Sequence, residues 1–324
     1  MSTPRTLRIG TRGSQLALWQ ARRVAALIGA QPGAPPVELV TIRTEGDERT
    51  DVPLWQLGGR AFFTREIDRA LLAGEVDIAV HSLKDLGTAL EPGLALVAVL
   101  ERADCRDAFL SREAAGLEDL PRGARVGTSS LRRRAFLARA RSDLVLLELR
   151  GNVPTRVERL VEGRYDAIVL AAAGLARLGL DAHIRAFLPV ERFPPAVSQG
   201  AIGVVARGER ADLARWLAAL DHHATRLATC AERALLRRVE GGCQVPLGAL
   251  GTLRGARLHL HATLCALDGS SSITVQGEAA LPREPAAAGH ECGRLGVRLG
   301  EELLARGATQ IIDQQRAARP AELP

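Results

Sequence analysis

Over the first two thirds of the chain, short apolar runs alternate with stretches of helical period. This is the pattern of an α/β fold with mainly parallel strands. Leu7 to Gly10 predicts a strand and Ser14 to about Ala30 a helix. Val37 to Arg43 predicts the next strand, Phe62 to Leu72 a helix, and Val76 to His81 a buried strand. The cycle then restarts, with strands over Arg125 to Gly127, Leu144 to Leu149 and Asp166 to Leu170, and helices over Ser130 to Arg141 and Thr155 to Glu162. After the Pro- and Gly-rich loop Phe193 to Gly200, Ala201 to Arg207 reads as one more strand and "RADLARWLAAL" as a helix. From about His222 the texture changes. A helix over Ala224 to Val239 ends at Gly241-Gly242, short alternating strands span Leu247 to Gly277, and a final helix lies near Gly293 to Arg306. The tail "RAARPAELP" is expected to fray.

The two cycles repeat one another. "GTRGSQLAL" (Gly10 to Leu18) corresponds to "GTSSLRRRA" (Gly127 to Ala135), each placing Gly-Thr and a Ser before a helix. "VDIAVHS" (Val76 to Ser82) corresponds to "YDAIVLA" (Tyr165 to Ala171). Two similar α/β lobes with a cleft between them follow, with ligands expected at the carboxyl ends of the strands. The expected units are residues 1–100 with 200–219, residues 105–194, and an α+β domain over 222–324.

Composition narrows the class. Apolar residues make up 47% of the 324 and charged residues 25%, as in ordinary globular proteins. No apolar run approaches the roughly 18 to 20 residues that span a bilayer, and Gly10-Thr11-Arg12 interrupts any signal-like N-terminal stretch. A cytoplasmic location is expected. The five cysteines (Cys105, Cys230, Cys243, Cys265, Cys292) form no CxxC pair and stand at no metal-ligand spacing with histidine, so neither a disulfide scaffold nor a metal site is expected.

Charge adds two observations. Lys84 is the one lysine among the 43 basic residues; the others are all arginine. Base composition of a genome accounts for replacing lysine by arginine, but not for the position that stayed lysine. From Arg125 to Leu160 there are nine arginines and three acids, a local excess equal to the net +6 of the whole chain. That concentration favours an anion site over a generally basic surface.

Four constellations carry candidate chemistry. "HSLKD" (His81 to Asp85) puts an ammonium beside a carboxylate at the end of a buried strand, a position suited to catalysis; a surface ion pair is the plainer alternative. "GTSSLRRR" (Gly127 to Arg134) places hydroxyls and then arginines at a helix start, where N–H groups, helix dipole and guanidinium forks act together on carboxylates or phosphates. Arginines there oppose the helix dipole, a cost that a bound anion would offset. Arg139 and Arg141 fit a solvated face better. "LRGNVPTR" adds Arg150 and Arg156, and "LAAAGLARLG" adds Arg177. In "EGGCQVP", Cys243 follows two glycines after a helix, a loop whose backbone can approach another group closely. A lone cysteine is more often a small buried hydrophobe than a nucleophile, and the other four are read that way.

In this order, "IGTRGSQLAL", "DIAVHSLKD", "RDAF", "VGTSSLRRR", "LRGNVPTR", "YDAIVLAAAGLARLG", "SQGAIG" and "HHATRLATCAERALLRRVEGGCQVP" closely resemble the porphobilinogen deaminase (hydroxymethylbilane synthase) family of tetrapyrrole biosynthesis. The resemblance covers nearly the whole chain. It implies two periplasmic-binding-protein-like doubly wound lobes, plus a small C-terminal α+β domain carrying the cofactor cysteine. It also implies a dipyrromethane cofactor held by Cys243 through a thioether, extended by four porphobilinogen units with loss of ammonia each time and then hydrolysed to release the linear tetrapyrrole. Asp85 matches the family's catalytic carboxylate. By position, Lys84, Ser130, Arg132, Arg133 and Arg150 match groups that hold the cofactor, and Arg12, Ser14, Arg150, Arg156 and Arg177 those that bind substrate. Each pyrrole ring carries an acetate and a propionate, which bidentate arginines suit. Deamination leaves a cationic azafulvene that a carboxylate can stabilise, and a thiolate can trap that electrophile durably.

The chain departs from the family pattern at Arg60, where a lysine is usual, and at Gly87 and Cys105, where proline is usual. Ser198 stands where glycine is frequent. Porphobilinogen is the expected partner, with no metal, membrane or nucleic acid, and a monomer is expected. A two-lobed carboxylate-binding receptor without catalysis would share the lobes but would not need Cys243 or the third domain. A nucleic-acid binder would use the arginines on phosphates, but 3% aromatic content leaves few stacking platforms.

Overall fold

The computed structural model describes residues 5–48, 64–208, 210–239 and 245–317. Arg60 and Cys243 lie outside the described residues.

The chain opens with β1 (Leu7–Thr11), α1 (Gln15–Gly29), β2 (Val37–Thr41), α2 (Glu45–Glu48), α3 (Arg65–Leu72), β3 (Ile78–Ser82) and β4 (Leu94–Val99). Then follow β5 (Asp107–Ser111), β6 (Arg125–Gly127), α4 (Leu131–Ala140), β7 (Val145–Leu147), α5 (Val153–Val161), β8 (Ala167–Ala171), α6 (Ala172–Arg177) and β9 (Ala186–Phe187). The strand β10 (Ile202–Arg207) and helix α7 (Ala214–Ala218) close this part.

Two five-stranded sheets result, ordered β2-β1-β3-β10-β4 and β7-β6-β8-β5-β9. In each, the first three strands are parallel, and the fourth runs antiparallel to its neighbours. The two sequence repeats therefore occupy equivalent places: β1–α1 matches β6–α4, and β3 matches β8. The central strands are apolar along almost their whole length, as buried parallel strands with helices on both faces must be.

The antiparallel strands are exchanged. β5 follows β4 in sequence yet joins the second sheet, and β10 follows the second cycle yet returns to the first. The chain thus passes between the lobes twice, and the two passages touch. At Gly200 (φ +90°) a Cβ would come within 2.6 Å of the carbonyl oxygen of Ala103, so only glycine fits. The "mainly parallel" reading names neither β4 nor β5, although the expected units already return residues 200–219 to the first lobe and begin the second at residue 105.

The remainder is α8 (His223–Arg238), the antiparallel sheet β11 (Leu247–Arg254), β12 (Arg257–Cys265) and β13 (Ser272–Ala280), then α9 (Pro285–Ala305) and α10 (Ala308–Ala317). Leu227, Ala231 and Leu235 of α8 and Cys292, Leu295 and Leu299 of α9 pack on Leu258, Leu260 and Leu264 of the sheet as one core. α9 begins a full two turns before the expected helix. Glu284 caps it by accepting from the amides of Ala286 and Ala287, with Pro285 in the first turn. α10 runs on through Ala317, into the stretch read as a fraying tail. Among the described residues no helix is long and apolar enough to cross a membrane.

Candidate active site

β3 is buried through His81 and ends at Ser82, and the chain then turns sharply through Leu83–Asp85. Leu83 is fully buried and pins this turn to the core. On either side of it, Lys84 and Asp85 line two adjoining cavities. The first, about 390 Å³, is bounded by Arg12, Ser14, Gln20, His81, Ser82 and Asp85. The second, about 500 Å³, is bounded by Lys84, Arg133, Arg156 and Arg177, with Gly200 and Ala201 of the crossing segment. Leu16 and Ser82 belong to both walls, and Gln20 Nε2 donates to Ser82 Oγ at 2.8 Å.

The helix starts explain how the hydroxyls are used. Ser14 Oγ accepts from the Ala17 amide at the start of α1, and Ser130 Oγ from the Arg133 amide at the start of α4. Both are N-caps. Ser14 also faces the first cavity, whereas Ser130 lines neither.

The two arginines of the α4 first turn point inward. Arg132 Nη2 donates to Asp107 Oδ2 at 2.7 Å, and Arg133 Nη2 and Nε donate to Oδ1 at 2.8 and 3.0 Å. Gln199 Nε2 donates the fourth bond to this carboxylate, at Oδ1 and 2.9 Å. Burial alone would raise the Asp107 pKa, but the two guanidinium charges and these bonds hold it well below the usual carboxylate range. The anion that offsets arginines at a helix start is therefore, in the first instance, the protein's own Asp107. Arg132 also bonds the carbonyl of Pro194 (2.7 Å) and lines neither cavity, although its Nε is buried with no partner among the described residues. Arg133 serves Asp107 and the second cavity together.

Elsewhere positive charge is in excess. Burial, then the repulsion of Arg133 and Arg150, pushes Arg156 down to about 10. Burial takes Arg177 to about 10, where its guanidinium bonds the Gly200 carbonyl at 2.6 Å and lies over the Trp19 ring. Lys84, half-buried and 3.4 Å from Gln199 Oε1, is pushed down to about 8 by desolvation despite the pull of Asp85. Desolvation, then Arg12, takes His81 to about 4, so it is neutral. Its buried Nε2 has no partner among the described residues. Cations that depress one another in a half-closed cleft are relieved by a ligand carrying several negative charges.

The structure thus gathers Arg12, Ser14, Lys84, Asp85, Arg133, Arg156 and Arg177 on the cavity walls and sets Arg150 close to Arg156. Ser130 and Arg132 stand behind the wall. Arg139 is exposed as expected, whereas Arg141 bonds Asp143 and the carbonyls of Leu117 and Leu120, tying down a loop. Asp107 and Gln199 were passed over as single residues. The signal for Asp107 is an acid directly before the apolar run Ala108-Phe109-Leu110; Gln199 carries no such signal.

Two α/β lobes closing on a cation-rich cleft with one lysine–aspartate turn define a protein that handles small polyanions. Comparison with known families is more specific. Residues 7–215 match the porphobilinogen deaminase dipyrromethane cofactor binding domain, and residues 226–305 the porphobilinogen deaminase C-terminal domain. The porphobilinogen deaminase of Geobacter metallireducens is 45% identical over 326 residues, 99% of each chain. That of Pelobacter propionicus is 48% identical over 311 residues, covering 96% of this chain and 97% of its own. Among solved structures, the methionine binding protein MetQ is similar over 66% of this chain and 89% of its own, with 15% identity and a TM-score of 0.43. At that distance nothing about its ligand transfers. The chain belongs to the porphobilinogen deaminase family. It is accordingly a transferase, a hydroxymethylbilane synthase, with a dipyrromethane cofactor, and the reading as a receptor without catalysis is set aside.

Proposed function

We propose that Asp85 is the catalytic carboxylate for joining porphobilinogen units head to tail in this cleft, and that Cys243 anchors the cofactor through a thioether. The observation that carries the reading is the charge distribution on the walls. Among the described residues lining the two cavities, Asp85 is the one acid, facing Arg12, Lys84, Arg133, Arg156 and Arg177. The residues fit the cofactor: two pyrrole rings bring four carboxylates to cavity walls that carry five arginine and lysine side chains against one acid.

When bound, the cofactor supplies the nucleophilic pyrrole carbon to which the chain is added. In each addition the carbon–nitrogen bond of the porphobilinogen aminomethyl group breaks and ammonia leaves. With the cofactor in place, a carbon–carbon bond would replace that carbon–nitrogen bond, with release of one proton. Asp85 holds a fixed negative charge where positive charge develops as ammonia departs, which is worth most where water is excluded. Its carboxylate also accepts hydrogen bonds from pyrrole N–H groups and orients the ring. Lys84 offers a compact ammonium to a single ligand carboxylate, while Arg133, Arg150 and Arg156 offer planar forks. Arg12, Ser14 and Arg177 hold the incoming unit, and Ser130 and Arg132, behind the wall, serve the cofactor by keeping α4 in place.

The units 1–100 with 200–219, 105–194 and 222–324 are taken as the three domains. The protein is taken as a cytoplasmic monomer: five scattered cysteines without a CxxC pair suit a reducing compartment, and no apolar heptad pattern in the sequence suggests assembly. Intact mass tests the cofactor assignment: the protein should carry a covalent dipyrromethane adduct that Cys243→Ser abolishes and Cys230→Ser and Cys265→Ser retain. An adduct on any other cysteine refutes it. Asp85→Asn should lower turnover by orders of magnitude in adduct-bearing protein, and near-normal turnover there removes Asp85 from the chemistry.

A further inference from the structure

Three successive carbonyls just beyond Asp85 are held from another part of the molecule. Arg233 Nη1 donates to the Leu86 carbonyl at 3.0 Å and Arg233 Nη2 to that of Gly87. One helical turn on, Arg237 Nη2 donates to the carbonyl of Thr88. Both arginines lie on α8, and Arg233 is 9% exposed. Between the Leu83–Asp85 turn and β4 the chain has no regular structure, so these carbonyls have no ladder of their own. The same turn of α8 carries Glu232, fully buried, which accepts from Arg102 at 2.5 Å and from the Ser198 amide at 2.6 Å. α8 therefore grips both lobe-crossing segments and the backbone beside the Lys84–Asp85 turn.

We propose that Arg233 and Arg237 are positioning residues for the catalytic turn, fixing Asp85 against the helix that precedes Cys243 in sequence. The inference rests on the reading of Asp85 as the catalytic carboxylate. Its physical basis is geometric. A guanidinium fork reaches two adjacent carbonyls at once with charge-assisted bonds from two nitrogens held in one plane, whereas an ammonium must make both from a single nitrogen on a flexible stem. Without the fork the turn keeps its fold through Leu83 but gains freedom where Asp85 must be placed, and misplacement by about 1 Å can cost on the order of a hundredfold in rate.

The test uses adduct-bearing enzyme, with occupancy checked by intact mass, and measures kcat and KM separately. Arg233→Met should lower kcat at least tenfold with KM changed less than twofold, Arg233→Lys should recover part of the loss, and Arg237→Met should lower kcat several-fold. Hydrogen exchange of the amides over residues 83–89 should quicken in Arg233→Met. Arg226→Met is the control: it removes contacts from the same helix to Asp221 (2.5 Å) and the Leu96 carbonyl (3.3 Å), away from the turn, and kcat should be unchanged. Wild-type kcat in both Arg237→Met and Arg233→Lys overturns the proposal even if Arg233→Met does not fold, and so does an equal kcat loss in Arg226→Met. Asp85→Asn measured alongside separates the failures. If it is inactive while the α8 variants keep kcat, only the positioning role falls; if it is active, the reading of Asp85 itself falls.

Discussion

Replacing Asp107 by asparagine removes one charge from a site where three ionised groups share a volume nearly closed to water. The Asp107 side chain is fully buried, and those of Arg132 and Arg133 are 5% and 8% exposed. Four hydrogen bonds converge on the carboxylate, three of them from guanidinium groups. Asparagine keeps the shape but leaves two buried cations without their counter-ion and turns an NH2 toward a donor. Breaking a buried ion pair by removing one partner costs about 3–5 kcal/mol. Individual charge-assisted bonds are worth about 1.5–3 kcal/mol and do not add, so the same range applies here. For a unit of this size that is a fall of roughly 10 °C in melting temperature. The pH dependence follows from the sign. Because the folded pKa is lowered, the stabilisation is fully present above the unfolded carboxylate value near 4, and is lost only as pH falls through the lowered folded value. Melting curves of wild type and Asp107→Asn should therefore run parallel between about pH 5 and 8 and draw together only in stronger acid. A variant within about 1 kcal/mol of wild type at pH 7, or a gap that closes already between pH 6 and 5, refutes the reasoning.

Lys84→Arg conserves charge but offers a wide fork beside Asp85, able to capture that carboxylate, so its turnover should fall far more than that of Arg139→Lys on the exposed face; equal steady-state activities refute this. Because Lys84 is pushed down to about 8, its ammonium is lost as pH rises through that value in ligand-free protein, and cofactor loading of the apoprotein, read as adduct occupancy by intact mass, should weaken above pH 8 in wild type while the lower loading of Lys84→Met stays flat. Glu232→Gln leaves Arg102 buried without its ion pair and should cost about 3–5 kcal/mol in a denaturant titration, with an unchanged midpoint as the refuting result. Gly296→Ala would drive a Cβ into the Ala231 carbonyl where α8 and α9 are in close contact, a destabilisation of about 1–3 kcal/mol readable as a lower melting temperature.

Local order was legible because its causes are local. Ser14 before an amphipathic run and Ser130 before another each announce a helix, and both cap one; the helix expected from Thr155 begins at Val153, where Asn152 caps it. The matched pairs "GTRGS"/"GTSSL" and "VDIAVHS"/"YDAIVLA" forecast equivalent β–α units, and the two sheets place them equivalently. α9 was harder, because Gly289, Gly293 and Gly296 blur the helical pattern of its first half; its beginning is set by Glu284 instead.

By itself, then, the sequence determined the parallel strands with the helices that follow them, and their duplication, since periodicity and caps act over a few residues and motifs travel whole. Tertiary structure alone decided that β5 and β10 enter their sheets antiparallel, because pairing between segments more than fifty residues apart leaves no periodic mark on either. It also decided partners. A run of arginines states a charge but not which carboxylate will neutralise it. Arg132 and Arg133 turned to Asp107, Arg102 to Glu232, and Arg233 to bare backbone carbonyls, because each guanidinium was buried where those acceptors lay. Buried charge must be satisfied by whatever the fold brings within reach, and that is a property of three-dimensional neighbours.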